Sequence, residues 1–192
     1  NLQQQLGQLW MSLSGEMEYL LDSFPIPICD NIRISQAHLV QGEEYRGYIA
    51  SKKRYFYGLR IHLVSTQDGV PVEWVFLPGA AHDVRGLQTL PLNLPPGSQL
   101  YADKAFTDYL VEDTLAEVDK ITLMAIRKQN SKRPDCPWLT YIKQTLRHYI
   151  ETVFSQITVR FPKSIHAVTF EGFLLKVSSF IWAYTLERML AN

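Results

Sequence analysis

Cysteine is scarce: Cys29 and Cys136 are the two among 192 residues. That number excludes a disulfide framework or a cysteine metal cluster and fits a reducing cytosol. A charge excess of either sign is missing too, since 19 basic residues face 19 acidic ones. Bulk charge therefore neither advertises nor excludes an anionic partner, and local arrangement has to carry that argument. Long apolar runs are absent. The most apolar stretch, Phe170 to Leu190, is interrupted by Lys176, Glu187 and Arg188, which argues against a membrane span. The start, NLQQQLGQLW, lacks the basic and apolar regions of a signal peptide. It opens inside a predicted helix, as a fragment of a longer protein would. No glycine-rich phosphate loop and no GxSxG elbow occurs, so nucleotide hydrolysis and serine chemistry have no support. Repeats and low-complexity linkers are also missing. What remains, at 46% hydrophobic and 20% charged residues, is an ordinary globular composition, long enough for one domain with a substantial core.

Within that chain, residues 2–13 suggest a short helix. EMEYLLDSF (16–24) reads as a strand ending where Pro25 and Pro27 forbid regular pairing. RYFYGLRIHLVST (54–66) and VEWVFLP (72–78), separated by the turn QDGVP, read as a hairpin. AHDVRGLQTLP fits a short helix stopping at Pro91. QLYADKAF (99–106) is the next strand, a helix follows over 107–117, and ITLMAI (121–126) is a further strand. KQNSKRPDCP (128–137) is a polar loop, and helices over roughly 138–160 and 167–190 close the chain. The order predicts a mixed α/β architecture with crossovers long enough for parallel pairing.

Carboxylates gain meaning from that order. Asp22 falls at the carboxyl end of the first predicted strand and Asp103 near the end of the fourth. Ligands of open α/β sheets bind outside such strand ends. Glu151 lies in LRHYIETVF, on a helix whose buried stripe is predicted as Leu139, Ile142, Leu146, Ile150, Val153, Phe154 and Ile157. Arg147 and Glu151 stand one turn apart on the flank of that stripe. Converging carboxylates would suit a pair of magnesium ions, which take hard oxygen ligands and assist in-line displacement at phosphorus. Bland readings stand beside this one. Asp22-Ser23 also reads as a turn opener, Asp103-Lys104 as a solvated strand end, and Arg147–Glu151 as a surface ion pair.

The blocks LLDSFPIPIC, YFYGLRIHLV, PGAAHD, LYADKAF and RHYIETVFSQI together resemble the DDE transposases of bacterial insertion sequences, over about residues 16–160. The resemblance implies an α/β, ribonuclease H-like fold with a mixed five-stranded sheet flanked by helices. It implies a single catalytic domain over 1–192, with a separate C-terminal helix at about 167–190. A catalytic and metal-binding set of Asp22, Asp103 and Glu151 follows, holding two Mg2+ or Mn2+ ions. Such enzymes hydrolyse transposon ends and transfer the freed 3′-hydroxyl into target DNA. The implied partner is double-stranded DNA, with a homodimer or larger assembly on paired ends, in the bacterial cytoplasm at the nucleoid. An N-terminal DNA-binding region is usual, and this chain has little room for one. Arg147 is expected to orient Glu151 or meet a phosphate. Related groups carry a tyrosine and a lysine where this chain has Gln144 and Thr158, with Arg160 as the stand-in for the lysine. Asp30 is the fallback for the first carboxylate.

His82-Asp83 matches the metal-binding pair of HD phosphohydrolases, but the further histidines of that signature do not follow. His62 is read as a satisfied strand histidine, and His148 as exposed. DNA contacts are expected from Lys52, Lys53 and Arg54 ahead of an aromatic strand, and from Arg127, Lys128, Lys132 and Arg133 in the loop before the Glu151 helix. Such groups hold backbone phosphates without reading sequence.

Overall fold

A computed structural model describes residues 2–29, 34–35, 37–162 and 165–191. Asp30 lies outside the described residues. The strands are β1 (Glu18–Cys29), β2 (Arg46–Ile49), β3 (Arg54–Thr66), β4 (Pro71–Pro78), β5 (Gln99–Ala102) and β6 (Thr122–Ala125). The helices are α1 (Leu2–Ser14), α2 (Asp83–Thr89), α3 (Tyr109–Thr114), α4 (Pro137–Val159) and α5 (Phe170–Ala191). All six strands join one mixed sheet. β3 pairs antiparallel with β1, β2 and β4, whereas β1–β5 and β5–β6 are parallel.

The expected five-stranded sheet thus has a sixth strand, and register shows how it fits. β2 pairs with Arg54–Tyr57 and β4 with Leu59–Ser65, both along the edge of β3 that β1 does not use. The two lie end to end in one position of the sheet. Only glycine permits the junction: a Cβ on Gly47 would sit 2.2 Å from the Gly79 carbonyl oxygen, and one on Gly79 would sit 2.6 Å from that of Tyr45.

β1 does not stop before its prolines. It continues to Cys29, with Pro25 opposite Arg60 and Pro27 opposite Gly58. β5 accompanies β1 only as far as Leu21. Beyond that point one edge of β1 has no strand beside it among the described residues, so missing N–H donors break no ladder there. The strand through LYADKAF ends at Ala102, earlier than its apolar content predicts. Lys104–Phe106 form a tight turn that buries the Phe106 ring.

Strand alternation divides the core between the two faces. Tyr19 and Leu21 of β1 pack with Leu87, Leu100, Phe106 and Leu115 under α1, α2 and α3. Leu20, Phe24 and Ile26 pack with Ile150, Phe154, Phe173 and Ile181 of α4 and α5. The stripe predicted on α4 holds for its second half only, where Ile150, Val153, Phe154 and Ile157 are buried. Ile142 is 37% exposed, and Trp138 and Tyr141 are also exposed. The first half overhangs the sheet edge.

A lysine anchors the overhang. Lys143 is buried, and its Nζ donates to the Ala125 carbonyl at the end of β6 (3.1 Å) and to both Asp135 oxygens (2.9 and 2.8 Å). Removing one member of a buried pair strands the other in a poorly solvating site. Lys143→Ala is therefore expected to cost roughly 3–5 kcal/mol, read by urea denaturation. A loss within ~0.5 kcal/mol, as for an ordinary surface change, would show that the pair does not hold α4.

Candidate active site at the end of the parallel strands

The last rung of the β1–β5 pairing is Leu21 opposite Ala102. Asp22 and Asp103 follow it directly, so parallel register carries both carboxylates to the same end of the sheet. Asp22 is not at the end of its strand, as expected from the sequence, but at the end of that strand's parallel pairing. Its carboxylate accepts the Ser23 N–H at 2.7 Å. Asp103 opens the Lys104–Phe106 turn, with its own Oδ1 buried and without a hydrogen-bond partner.

Glu151 arrives from α4, and Arg147 ties the groups together. The Arg147 Nε lies 3.8 Å from Asp103 Oδ1 and 3.5 Å from Glu151 Oε1. All three side chains are partly solvent-exposed, so these charge contacts are weak in energy and chiefly orient the groups. Lys143, Arg147 and Glu151 succeed one another at four-residue intervals along α4, so the lysine anchor sets the same helical face that meets Asp103. His148 is exposed, as expected, 3.9 Å from Glu151.

Burial pushes the Asp22 carboxyl up to about 7. The Ser23 N–H works against this by favouring the ionised form, while negative charge on Asp83, Asp103 and Glu151 adds to the rise. A cation would relieve this crowding. The donors are hard carboxylate oxygens, one of them orphaned, which suits a magnesium-like ion. Among the described residues, however, no group of three or more His, Cys, Asp or Glu side chains is gathered closely enough to hold a metal.

Asp83 is a neighbour of Asp22 that the sequence did not reveal. In the sequence it reads only as half of an HD pair, yet it exerts the largest carboxylate effect on Asp22. Its Oδ1 accepts the Ser23 hydroxyl at 2.6 Å. His62 is buried as the alternation suggested, but it is not satisfied: neither ring nitrogen has a hydrogen-bond partner, and Nδ1 stands 3.8 Å from Asp83. Burial lowers its pKa to about 4, so the ring is neutral near pH 7.

The proposed DNA-contacting cations separate into two groups. Lys52, Lys53 and Arg54 are exposed around the β2–β3 connection, where Lys53 adopts a left-handed backbone. In the loop before α4, by contrast, Arg127 makes a bidentate pair with Glu112 (2.8 and 2.6 Å) and Arg133 with Asp113 (2.6 and 2.9 Å). Those arginines fasten the loop to α3, leaving Lys128 and Lys132 exposed. Arg160 is likewise engaged, pairing with Glu187 of α5 at 2.8 and 2.5 Å. No helix is long and apolar enough to cross a membrane, among the described residues.

The sign of the Asp22 effect fixes a pH dependence. Its folded-state value, about 7, stands above the ordinary 3.8. Its contribution therefore favours folding most at low pH and is lost as pH rises from that ordinary value through about 7. Asp22→Asn is expected to stabilise the metal-free protein by roughly 2 kcal/mol at about pH 8, after allowance for partial solvent access, and hardly at all at about pH 4. Equal effects at both pH values in urea denaturation would remove Asp22 from the crowded cluster.

A family model described as a transposase DDE domain matches residues 14–165. No curated protein and no solved structure matches the chain.

Proposed function

The chain belongs to the transposase DDE domain family, and from that premise we propose that it hydrolyses transposon ends and transfers the resulting 3′-hydroxyl into target DNA. The observation that carries this reading is the Leu21–Ala102 register, which brings Asp22 and Asp103 to one sheet end beside the α4 face bearing Arg147 and Glu151. In this proposal Asp22, Asp103 and Glu151 would hold divalent Mg2+ or Mn2+, two ions in all. Metal when bound supplies activation of the attacking oxygen and stabilisation of the leaving one.

The chain's own groups have separable tasks. Asp22 must ionise to bind a cation, and its raised pKa leaves it partly protonated near pH 7 in the free protein. Arg147 bridges two carboxylates in the absence of substrate and is the group nearest to hand for a phosphate oxygen arriving there. Lys143 fixes the helical face on which both Arg147 and Glu151 stand. Lys52, Lys53 and Arg54, with Lys128 and Lys132, would hold double-stranded DNA, transposon end and target alike, through its backbone. Paired ends would need two copies of the chain.

One observation favours a second reading, a catalytically silent DNA-binding descendant of a transposase. Arg147 already lies at ion-pair distance from two of the proposed ligands. The readings part on turnover. Alanine at Asp22, Asp103 or Glu151 is expected to lower metal-dependent strand cleavage by about 10³-fold or more, in keeping with loss of a catalytic metal's charge stabilisation, while DNA affinity in calcium persists. Wild-type cleavage by Asp103→Ala would sink the catalytic assignment, as would DNA binding by the wild type with no cleavage in either magnesium or manganese.

The cations are tested separately by salt. Replacing Lys52, Lys53 and Arg54 with alanine should flatten the slope of log affinity against log salt by about 0.9 for each phosphate left without its cation. Arg133→Ala, whose guanidinium is already paired with Asp113, should leave that slope nearly unchanged, and a slope change as large as for the lysines would return Arg133 to the interface.

A further inference from the structure

Past Leu21, β1 pairs with β3 alone among the described residues, so the backbone that carries Asp22 is fastened along one edge. Ser23 supplies a fastening of another kind. Its N–H donates to the Asp22 carboxylate at 2.7 Å. Its side chain leaves β1 by the face opposite to Asp22, where register sets it across from His62. There the hydroxyl donates to Asp83 Oδ1 (2.6 Å) and accepts from Arg60 (3.3 Å), which is itself held by the Tyr48 carbonyl (3.2 Å). Asp83 is the first residue of α2, a place where a carboxylate is usually explained by the helix dipole. The side chain turns to the sheet instead, toward Ser23 and the buried His62, whose Nδ1 is 3.8 Å away. A Cβ on Gly86 would lie 2.1 Å from that imidazole. Glycine therefore lets α2 settle directly on the ring, and that contact carries Asp83 to Ser23.

We propose that Asp83 is a positioning residue that acts through Ser23 to fix the direction of the Asp22 carboxylate for divalent-cation binding. This rests on the transposase reading given above. The path is one residue long: Asp83 holds the Ser23 hydroxyl, and the Ser23 amide holds Asp22. A shift of Ser23 on one face of β1 is therefore passed at once to the carboxylate on the other. Serine suits the post because its hydroxyl both donates and accepts. Arg60 can only donate, so its approach to the hydroxyl oxygen directs the hydroxyl proton to Asp83, and the group is held between a cation and an anion. Carboxylates that bind metals are themselves held by hydrogen-bonding partners, and loss of such a partner costs about 10–100-fold in metal affinity or activity.

The test measures Mn2+ binding by electron paramagnetic resonance and metal-dependent strand cleavage in Asp83→Ala, Ser23→Ala and the double variant. Each is expected to weaken Mn2+ binding and lower kcat by about tenfold or more, with KM for DNA near that of wild type. The double variant should be no worse than either single one, because all three break the same path. Two conservative changes supply the rescue. Asp83→Asn keeps an acceptor for the hydroxyl, and Ser23→Thr keeps the hydroxyl and has a cleft of about 540 Å³ beside it for the added methyl. Both should recover most of what the alanine variants lose. Additive losses in the double variant would overturn the proposal, as would Asp83→Asn as poor as Asp83→Ala, or Asp83→Ala with wild-type Mn2+ binding. Any of these in a wild type that cleaves DNA leaves the transposase reading intact. A wild type that neither binds Mn2+ nor cleaves would overturn that reading and the positioning role with it.

Discussion

The molecule turns on where β5 stops. Parallel pairing with β1 ends at Leu21 and Ala102, and at that point regular structure hands over to chemistry. Carried further, a parallel ladder would set both carboxylates on the helix-covered face of a continuous sheet, where an ionised carboxylate is prohibitively costly. Ended there, it leaves both at a rim with sheet on one side and α4 on the other. The early turn at Lys104–Phe106 is what ends it, since it sends the Phe106 ring down into the core and takes the backbone out of register.

Electrostatic crowding follows from that placement. Asp83, Asp103 and Glu151 each raise the pKa of Asp22, and the free protein answers with two devices. Arg147 spans a pair of them, and Asp22 retains its proton to higher pH than an ordinary carboxylate. Neither is a stability gain of any size. Both are ways of tolerating negative charge crowded at one end of the sheet. The better-buried charge pairs lie elsewhere, in the Lys143–Asp135 contact and the fork of Arg127 onto Glu112.

Much of this was legible in the sequence, and the limits were physical. Long periodic segments such as β3 and α5 announced themselves, because burial on a fixed face imposes a period. The Asp22, Asp103 and Glu151 set was singled out by its order and flanks, and the fold brings Asp103 and Glu151 to one arginine. Two kinds of fact were not legible. Pairing partners are invisible to a local pattern, so Pro25 and Pro27 looked like terminators when the strand simply lacks a neighbour on one edge there. Short β2, which shares an edge of β3 with β4, left too few residues to show alternation. Charge is the second kind. Arg133 and Lys132 look alike in a loop, but a carboxylate on α3 claims one of them. Lys143 was unreadable for the same reason, since a lysine on a helix is assigned to solvent until the carbonyl of Ala125 appears beneath it.

The shared edge of β3 has a consequence for how such a protein can change over time. Because β2 and β4 lie end to end, the arm from Arg46 to Arg54 is attached through only four paired rungs, and none of them lies in the rows that carry Asp22 or Asp103. Apart from Gly47, that arm can change without disturbing the rows that carry Asp22 and Asp103. The arm and the rows that carry the carboxylates therefore sit on separate parts of one sheet, joined where Gly47 and Gly79 pack closely.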